Sequence, residues 1–121
     1  MQYMLLIYTN ESEMAGRTPG DVTAMTQGYA EFTQAIVRSG SYRAGEALEP
    51  TSTATTVHVR GGKVLQTDGP YAETKEQLGG FYLVEAKDLD EATKIAARIP
   101  GAAHGYVEVR PVRVFAKPPA A

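Results

Sequence analysis

One segment of the chain, residues 68–82, carries more polar chemistry than its place between two predicted strands requires. It runs from Asp68 to Tyr82 and contains carboxylates, hydroxyls, the Lys75 ammonium and a pair of glycines. An ordinary hairpin connection needs only a few residues. We therefore expect this segment to be the first place where a small molecule would be bound or transformed.

Asp68 is the side chain of this segment best suited to acid/base chemistry. A carboxylate at the floor of a pocket transfers protons effectively when burial tunes its pKa. An aspartate that precedes Gly69-Pro70 is equally typical of a turn, in which the carboxylate accepts hydrogen bonds from nearby backbone amides. The two roles are compatible, and both stay open at the level of the sequence.

The rest of the segment supplies candidate ligand contacts. Thr74 and Lys75 would hold an anionic group, with the lysine as a point charge, and Tyr71 adds a phenol hydroxyl. The alternative is that the charged run is only a solvated loop. Gly79-Gly80 either lets two chain segments approach closely or leaves room for a ligand.

Three candidate residues lie outside this segment. Tyr29 lies on the apolar stripe of a predicted helix, where it is either a core tyrosine with a satisfied hydroxyl or a donor that pairs with Asp68 to bind a substrate. His58 and His104 are the side chains best suited to proton transfer near neutral pH, so both are candidate ligand contacts. Two isolated histidines without ligand spacing predict no metal site.

The predicted elements that position these residues alternate between strands and helices. We expect a loop over residues 9–20 and a bulge or sheet edge at Pro111. The order predicts an α+β fold, specifically a ferredoxin-like sandwich with an extra β-hairpin. In chain order, the predicted elements are a strand at 2–8, a helix at 21–38, a strand at 42–47, hairpin strands at 54–60 and 63–68 around Gly61-Gly62, a strand at 81–86, a helix at 89–99 and a strand at 105–115.

The strands at 2–8 and 81–86 are apolar on both faces, although two helices can cover only one face of the sheet. A second sheet from an identical chain is the simplest cover, and symmetric dimers are the commonest oligomers. We therefore predict a homodimer in which two chains pair their sheets into a dimeric α/β barrel.

Composition narrows the class of protein. The 121 residues suit one domain, predicted over residues 1–115 with a flexible tail at 116–121. A net charge of −2 argues against a nucleic-acid partner, and the absence of cysteine excludes disulfides and thiolate chemistry. No apolar run is long enough to span a membrane and the N-terminus lacks a signal-peptide pattern, so we expect a cytoplasmic protein with no membrane partner. No glycine-rich phosphate motif is present, and we predict no cofactor.

Four stretches, at residues 4–8, 45–48, 67–80 and 107–112, resemble the YCII-related proteins of the DGPF type. The central run is the most specific, and Tyr71 replaces the phenylalanine of the name-giving tetrapeptide. The resemblance implies a dimeric α/β barrel of ferredoxin-like subunits, which agrees with the interpretation from the elements.

The resemblance also implies a reaction class. In the broader YCII family a histidine on the first helix pairs with an aspartate as the proposed acid/base site, and one member eliminates chloride from a chlorinated hydroxyquinol. Asp68 matches the aspartate, but the histidine position falls on Tyr29. With Asp68 and Tyr29 as catalytic residues, the implied function is lyase- or isomerase-like chemistry on a small hydroxylated molecule.

The alternative is a non-catalytic protein that binds a small ligand or regulates another process. DGPF relatives are often encoded beside sigma factors, so the resemblance suggests a part in sigma-factor signalling. The missing histidine favours this alternative, while the polar segment at 68–77 favours a bound small molecule in either case.

Overall fold

The computed structural model describes residues 1–116, so the predicted tail falls outside the described residues except for Ala116. These residues form six strands, three α-helices and two short 3-10 turns, at Thr51–Thr53 and Pro100–Ala103. The elements are β1 (Gln2–Thr9), α1 (Glu11–Ala15), α2 (Pro19–Arg38), β2 (Tyr42–Ala47), β3 (Thr55–Arg60), β4 (Lys63–Asp68), β5 (Gln77–Glu85), α3 (Leu89–Ala97) and β6 (Tyr106–Pro111).

Four of the strands form one antiparallel sheet in the order β2-β5-β1-β6. The other two, β3 and β4, pair only with each other and form a hairpin inserted between β2 and β5. The chain is therefore an α+β protein with a mainly antiparallel sheet, and its topology is compatible with a ferredoxin-like fold.

The core lies on one face of this sheet. Tyr3, Leu5 and Ile7 of β1 alternate with half-buried residues and pack against the helices. In the predicted helix at 89–99, the four apolar side chains that share one helix face are all buried, namely Ala92, Ile95, Ala96 and Ile99. The other core residues are Phe32, Ile36, Tyr82, Val84 and Ala86.

The opposite face of the sheet has no helix over it among residues 1–116. Its apolar side chains are only half-buried, and we call this surface the open face. The sequence predicted that β1 and β5 would be apolar on both sides and that two helices would cover only one of these sides. The open face consists of Met4, Leu6, Tyr8, Phe81 and Leu83.

The predicted loop over residues 9–20 is wrong. Asn10 caps α1 by accepting a hydrogen bond from the Glu13 amide at 3.0 Å. Helix α2 begins at Pro19, because Thr18 and Asp21 form a capping box with hydrogen bonds of 3.1 and 3.4 Å. The helix therefore starts two residues before the predicted start at residue 21, because proline is well tolerated in the first helical turn.

Other element ends also differ from expectation. Strand β5 begins at Gln77, because the ladder with β1 continues past the glycine pair: Gly80 pairs with Ile7 and Leu78 pairs with Tyr8, with a register shift at Gly79. Helix α3 ends at Ala97 rather than at residue 99. Strand β6 ends at Pro111 on the sheet edge, as proline requires, so the predicted extension to residue 115 is wrong. Gly61 and Gly62 have positive φ angles and form the predicted hairpin turn.

Helices in the described part of the chain include none that is both long and apolar enough to cross a membrane.

Candidate functional site

The first candidate site is a cavity of about 360 Å³ between α2 and the β2–β5 half of the sheet, which we call the helix-side cavity. It exists because α2 packs on the sheet mainly through its C-terminal half. Phe32 and Ile36 are buried there, whereas Met25 and Tyr29 are half-buried and Val22 is exposed. The cavity is lined by Ile7, Thr9, Met14, Met25, Tyr29, Thr33, Tyr42, Gly45, Glu46, Ala47, Gly79, Gly80, Phe81 and Tyr82.

Glycines form much of the sheet wall of this cavity. A Cβ atom at Gly80 would lie 2.8 Å from the Glu46 carbonyl oxygen, and one at Gly45 would lie 2.7 Å from the Tyr82 ring. Gly79 is less constrained, since its nearest neighbour would be the Thr9 hydroxyl at 3.8 Å. Gly80 therefore permits close strand approach, and both glycines line the cavity.

Tyr29 supplies a free hydrogen-bond donor in the cavity. Its hydroxyl oxygen accepts the Gly101 amide hydrogen at 3.1 Å. Burial raises the pKa of Tyr29; the Gly101 hydrogen bond opposes this shift and the nearby Tyr82 adds to it. The phenol therefore keeps its proton near neutral pH, and no acceptor for that proton occurs among residues 1–116.

The contact between Tyr29 and the turn at 100–103 depends on Gly101. A Cβ atom at this position would lie 2.6 Å from the Tyr29 hydroxyl oxygen and 3.0 Å from the Ile7 side chain. The glycine therefore allows the backbone amide to reach the phenol. The helix-side cavity is consequently shaped by residues that lie far apart in the sequence.

A second polar point in the cavity is formed by Thr33 and Tyr82, whose hydroxyl oxygens are 2.7 Å apart. The Tyr82 ring is held edge-on against Phe32, with ring centroids 5.0 Å apart. Neither hydroxyl was predicted from the sequence as part of a site. The signal for Thr33 was its spacing of four residues from Tyr29, which places the two side chains on one face of a helix.

The polar segment after the hairpin is fastened to the start of α1. The Asn10 side-chain amide donates to the Lys75 carbonyl at 3.1 Å, and the Glu11 amide donates to the Gln77 side chain at 2.9 Å. The Glu11 carboxylate accepts hydrogen bonds from the Thr51 amide at 2.9 Å and hydroxyl at 2.8 Å. We call Asn10, Glu11, Thr51 and Gln77 the α1 clamp. Part of the polar richness of this segment is therefore structural.

A second concavity, of about 540 Å³, lies between residues 48–54 and the polar segment. We call it the open-face groove, because Tyr8 and Leu78, which pair across β1 and β5, contribute to its wall. The wall is predominantly apolar, with Glu49 at its border. The other lining residues are Leu48, Pro50, Thr51, Thr53, Ala54, Pro70, Ala72, Thr74 and Gln77.

The structure separates the predicted catalytic residues. Asp68 is the exposed last residue of β4, opposite Thr55, and lines neither concavity. Within residues 1–116 its carboxylate accepts no side-chain hydrogen bond, and none joins it to Tyr29. A single chain therefore places Tyr29 in the helix-side cavity and leaves Asp68 in solvent.

The predicted ligand contacts are also dispersed. Thr74 borders the open-face groove and donates a hydrogen bond to the Glu76 carbonyl. Tyr71 is 91% exposed, and Lys75 is exposed with no salt bridge to the described part of the chain. His58 lies exposed on β3 and His104 follows the turn at 100–103, so neither borders a concavity. Residues 1–116 contain no cluster of three histidine or acidic side chains able to hold a metal ion.

Comparison with known proteins decides the family. The model of the YCII-related domain matches residues 1–116. The chain belongs to the YCII-related family. It is also 33% identical over 117 residues to an uncharacterised protein of Rhizobium meliloti (strain 1021), a match that covers 95% of this chain and 94% of the relative. The predicted family is thereby confirmed, and the α+β topology belongs to a YCII-related domain.

Proposed function

We propose that this YCII-related protein binds a small, mostly apolar molecule with a hydroxyl or carbonyl oxygen in the helix-side cavity. The observation that carries this proposal is the Tyr29 hydroxyl, which is half-buried, protonated and already accepts from Gly101. Its own proton is the remaining polar group that a ligand oxygen would satisfy. Leaving such a donor unpaired is costly, whereas a ligand acceptor recovers the lost hydrogen bond.

The shape and lining of the cavity favour a single aromatic ring. A volume of about 360 Å³ lies near the lower end of ordinary ligand sites. Gly79 and Gly80 leave one wall without projecting side chains, and Ile7 and Met25 add apolar surface. A phenol or catechol would place its ring against this wall and its oxygen near Tyr29 or the Thr33–Tyr82 pair.

The test is ligand-observed NMR with phenol, catechol and toluene as probes. We expect phenol and catechol to bind more tightly than toluene by roughly tenfold, which corresponds to one hydrogen bond. Tyr29→Phe should remove this preference. Tyr106→Phe is the matched control, since Tyr106 is 68% exposed and lies outside the cavity. Equal affinity for toluene, or an unchanged preference in Tyr29→Phe, would contradict the proposal.

A second candidate function is acid/base catalysis on the same class of molecule, of the lyase or isomerase type. Protonated Tyr29 beside the cavity supports a role as a proton donor. Asp68 is the proposed base or orienting carboxylate, although it lies outside the cavity of its own chain. Asp68→Asn should lower turnover by orders of magnitude if it is catalytic. If Asp68→Asn changed only the stability, by about 1 kcal/mol, the result would contradict catalysis by Asp68 and support the non-catalytic binding function.

The run at 67–80 supports assignment to the DGPF type, and with it the idea of a regulatory protein associated with sigma-factor signalling.

Five further residues are proposed as contacts to the bound molecule only if an assembly brings them to a cavity. They are Thr74, Lys75, Tyr71, His58 and His104. The cytoplasm is the compartment that we propose, because a chain without cysteine fits a reducing environment.

We propose further that the protein is a homodimer whose two open faces pack together, which would complete a dimeric α/β barrel. Five half-buried apolar side chains on one sheet face support this, since such a face is normally covered. Leu6 lies between Phe81 and Glu108 in the sheet register, near the centre of that face.

Sedimentation measurements test the dimer. The wild-type protein should be a dimer at micromolar concentration, and Leu6→Glu should be a monomer because it places a charge in the contact. Thr93→Glu, on the exposed side of α3, should stay dimeric. A monomeric wild type, or an unchanged mass in Leu6→Glu, would overturn this arrangement.

A further inference from the structure

The hairpin formed by β3 and β4 has an apolar side that nothing in the described chain covers. Val57, Val59 and Val64 are 57%, 61% and 62% exposed. Val59 and Val64 are direct cross-strand partners, and Val57 points to the same side two residues away. We call these three residues the valine face. His58 and Leu65 form the central pair of the opposite side.

Within residues 1–116, no hydrogen bond joins β3 or β4 to the main sheet. The Gly69 amide donates to the Ala54 carbonyl at 2.8 Å, and the Thr56 hydroxyl donates to the Gly69 carbonyl at 2.7 Å. Both hydrogen bonds connect the two sides of the hairpin base to each other and not the hairpin to the main sheet. An isolated two-stranded hairpin is marginally stable in water, so a rigid arm of this kind needs an external support.

The hairpin leaves the domain beside the open face. The open-face groove is bordered on one side by Tyr8 and Leu78 of the main sheet and on the other by Ala54 and Pro70 at the hairpin base. The groove therefore runs from the open face to the base of the hairpin, with no helix between them. A protein domain that lies on the open face would meet the hairpin across this groove.

The open face by itself is small compared with the interfaces of stable dimers. Its outer strands, β2 and β6, have six residues each. Four such strands have a footprint of roughly 400 Å², from a spacing of about 4.8 Å and a rise of about 3.3 Å. A stable interface buries about 800 Å² on each partner. The sheet face alone is small for a stable dimer, and the valine face would enlarge the contact.

We propose that the valine face packs against a second copy of this chain, so that the hairpin is an arm that grips the partner subunit. This inference rests on the homodimer proposed above. Asp68 shares the valine side of the hairpin, opposite Thr55, and the arm would therefore bring this carboxylate to the contact with the partner.

The experiment compares Val59→Glu with His58→Glu by sedimentation equilibrium. The two positions are adjacent on β3, are both exposed, and point to opposite sides of the hairpin. We expect Val59→Glu to weaken the dimer by at least about tenfold, since it buries an unpaired charge. His58→Glu should stay within about threefold of the wild-type dissociation constant, because a rim charge alters affinity little.

The outcomes separate this inference from the proposed dimer. A monomeric wild type overturns both. A dimeric wild type with equal dissociation constants for the two variants, whether both match the wild type or both are weakened alike, overturns the arm alone.

A fluorescence measurement on a third variant gives an independent readout. The chain contains no tryptophan, so Val64→Trp has a single tryptophan reporter on the valine face. Its emission should shift to shorter wavelength as the protein concentration passes through the dimer dissociation constant. Emission that stays constant while the mass doubles would overturn the arm.

Discussion

Tyr29 illustrates how far residue types alone can be interpreted. Its position on the apolar stripe of α2 predicted a largely buried ring with a bonded hydroxyl, and the ring is half-buried with a bond to Gly101. The partner itself was not predictable, because it lies 72 residues away and is reached only after the fold forms. The free donor follows from that tertiary contact and has no signal of its own in the sequence.

A prediction at the residue scale concerns the pH dependence of stability. The folded chain raises the pKa of Tyr29, so its contribution is complete below the unfolded pKa and is lost as pH rises through the folded value. Urea unfolding at about pH 8 and about pH 11 brackets the ordinary phenol pKa near 10. Tyr29→Phe should lose less stability between these pH values than the wild type.

Tyr106→Phe is the control for the pH measurement, since Tyr106 is 68% exposed and its replacement leaves Tyr29 in place. The decline of the control should match that of the wild type. If the stability of Tyr29→Phe falls with rising pH as steeply as that of the wild type and of the control, the buried phenol does not contribute to the alkaline loss of stability.

At the scale of elements, α1 shows why a short helix escapes prediction. Five residues cannot display a helical repeat of apolar side chains, and the stretch was interpreted as a loop. Its role becomes visible only through the α1 clamp, which joins it to the turn at 51–53 and to Gln77. The longer elements α2 and α3 were predicted within a few residues, because their apolar stripes extend over several turns.

We predict that Glu11→Ala destabilises the protein by about 2 kcal/mol, because it removes two hydrogen bonds to a carboxylate. Glu13→Ala in the same helix should cost less than about 0.5 kcal/mol, since the Glu13 side chain is exposed. Thermal or urea unfolding of both variants measures the difference. Equal losses would mean that helix propensity, and not the clamp, explains the effect.

A double-mutant cycle isolates the clamp itself. Thr51→Val removes the hydroxyl partner of Glu11, and the effect of Glu11→Ala should be smaller in that background. Additive losses would show that the carboxylate stabilises α1 without the contact to Thr51.

At the scale of the whole molecule, the sequence anticipated the main architectural fact, a sheet with one covered and one open face. It did so because β1 and β5 are apolar on both sides while the chain offers helices for only one. The places of Asp68, Lys75 and His58 were not predictable in this way. They depend on how the inserted hairpin and its connector lie on the domain, which no periodicity encodes.

The proposed dimer makes a prediction for the whole molecule. If folding and pairing are coupled, a tenfold rise in protein concentration should raise the melting temperature by about 4 °C. Leu6→Glu should melt at a temperature that does not depend on concentration. Calorimetry over a hundredfold concentration range measures both, and a constant wild-type melting temperature would show that subunit pairing does not support the fold.

The glycine wall of the helix-side cavity has a consequence for how relatives of this protein can diverge. At Gly45 and Gly80 any side chain would meet Tyr82 or the Glu46 carbonyl, so these positions resist replacement. Variation in the cavity is then easier on the helix wall, at positions such as Met25, Tyr29 and Thr33, than at these two glycines. A new ligand preference would thus evolve mainly through residues spaced one helical turn apart on α2, while Gly45 and Gly80 stay unchanged.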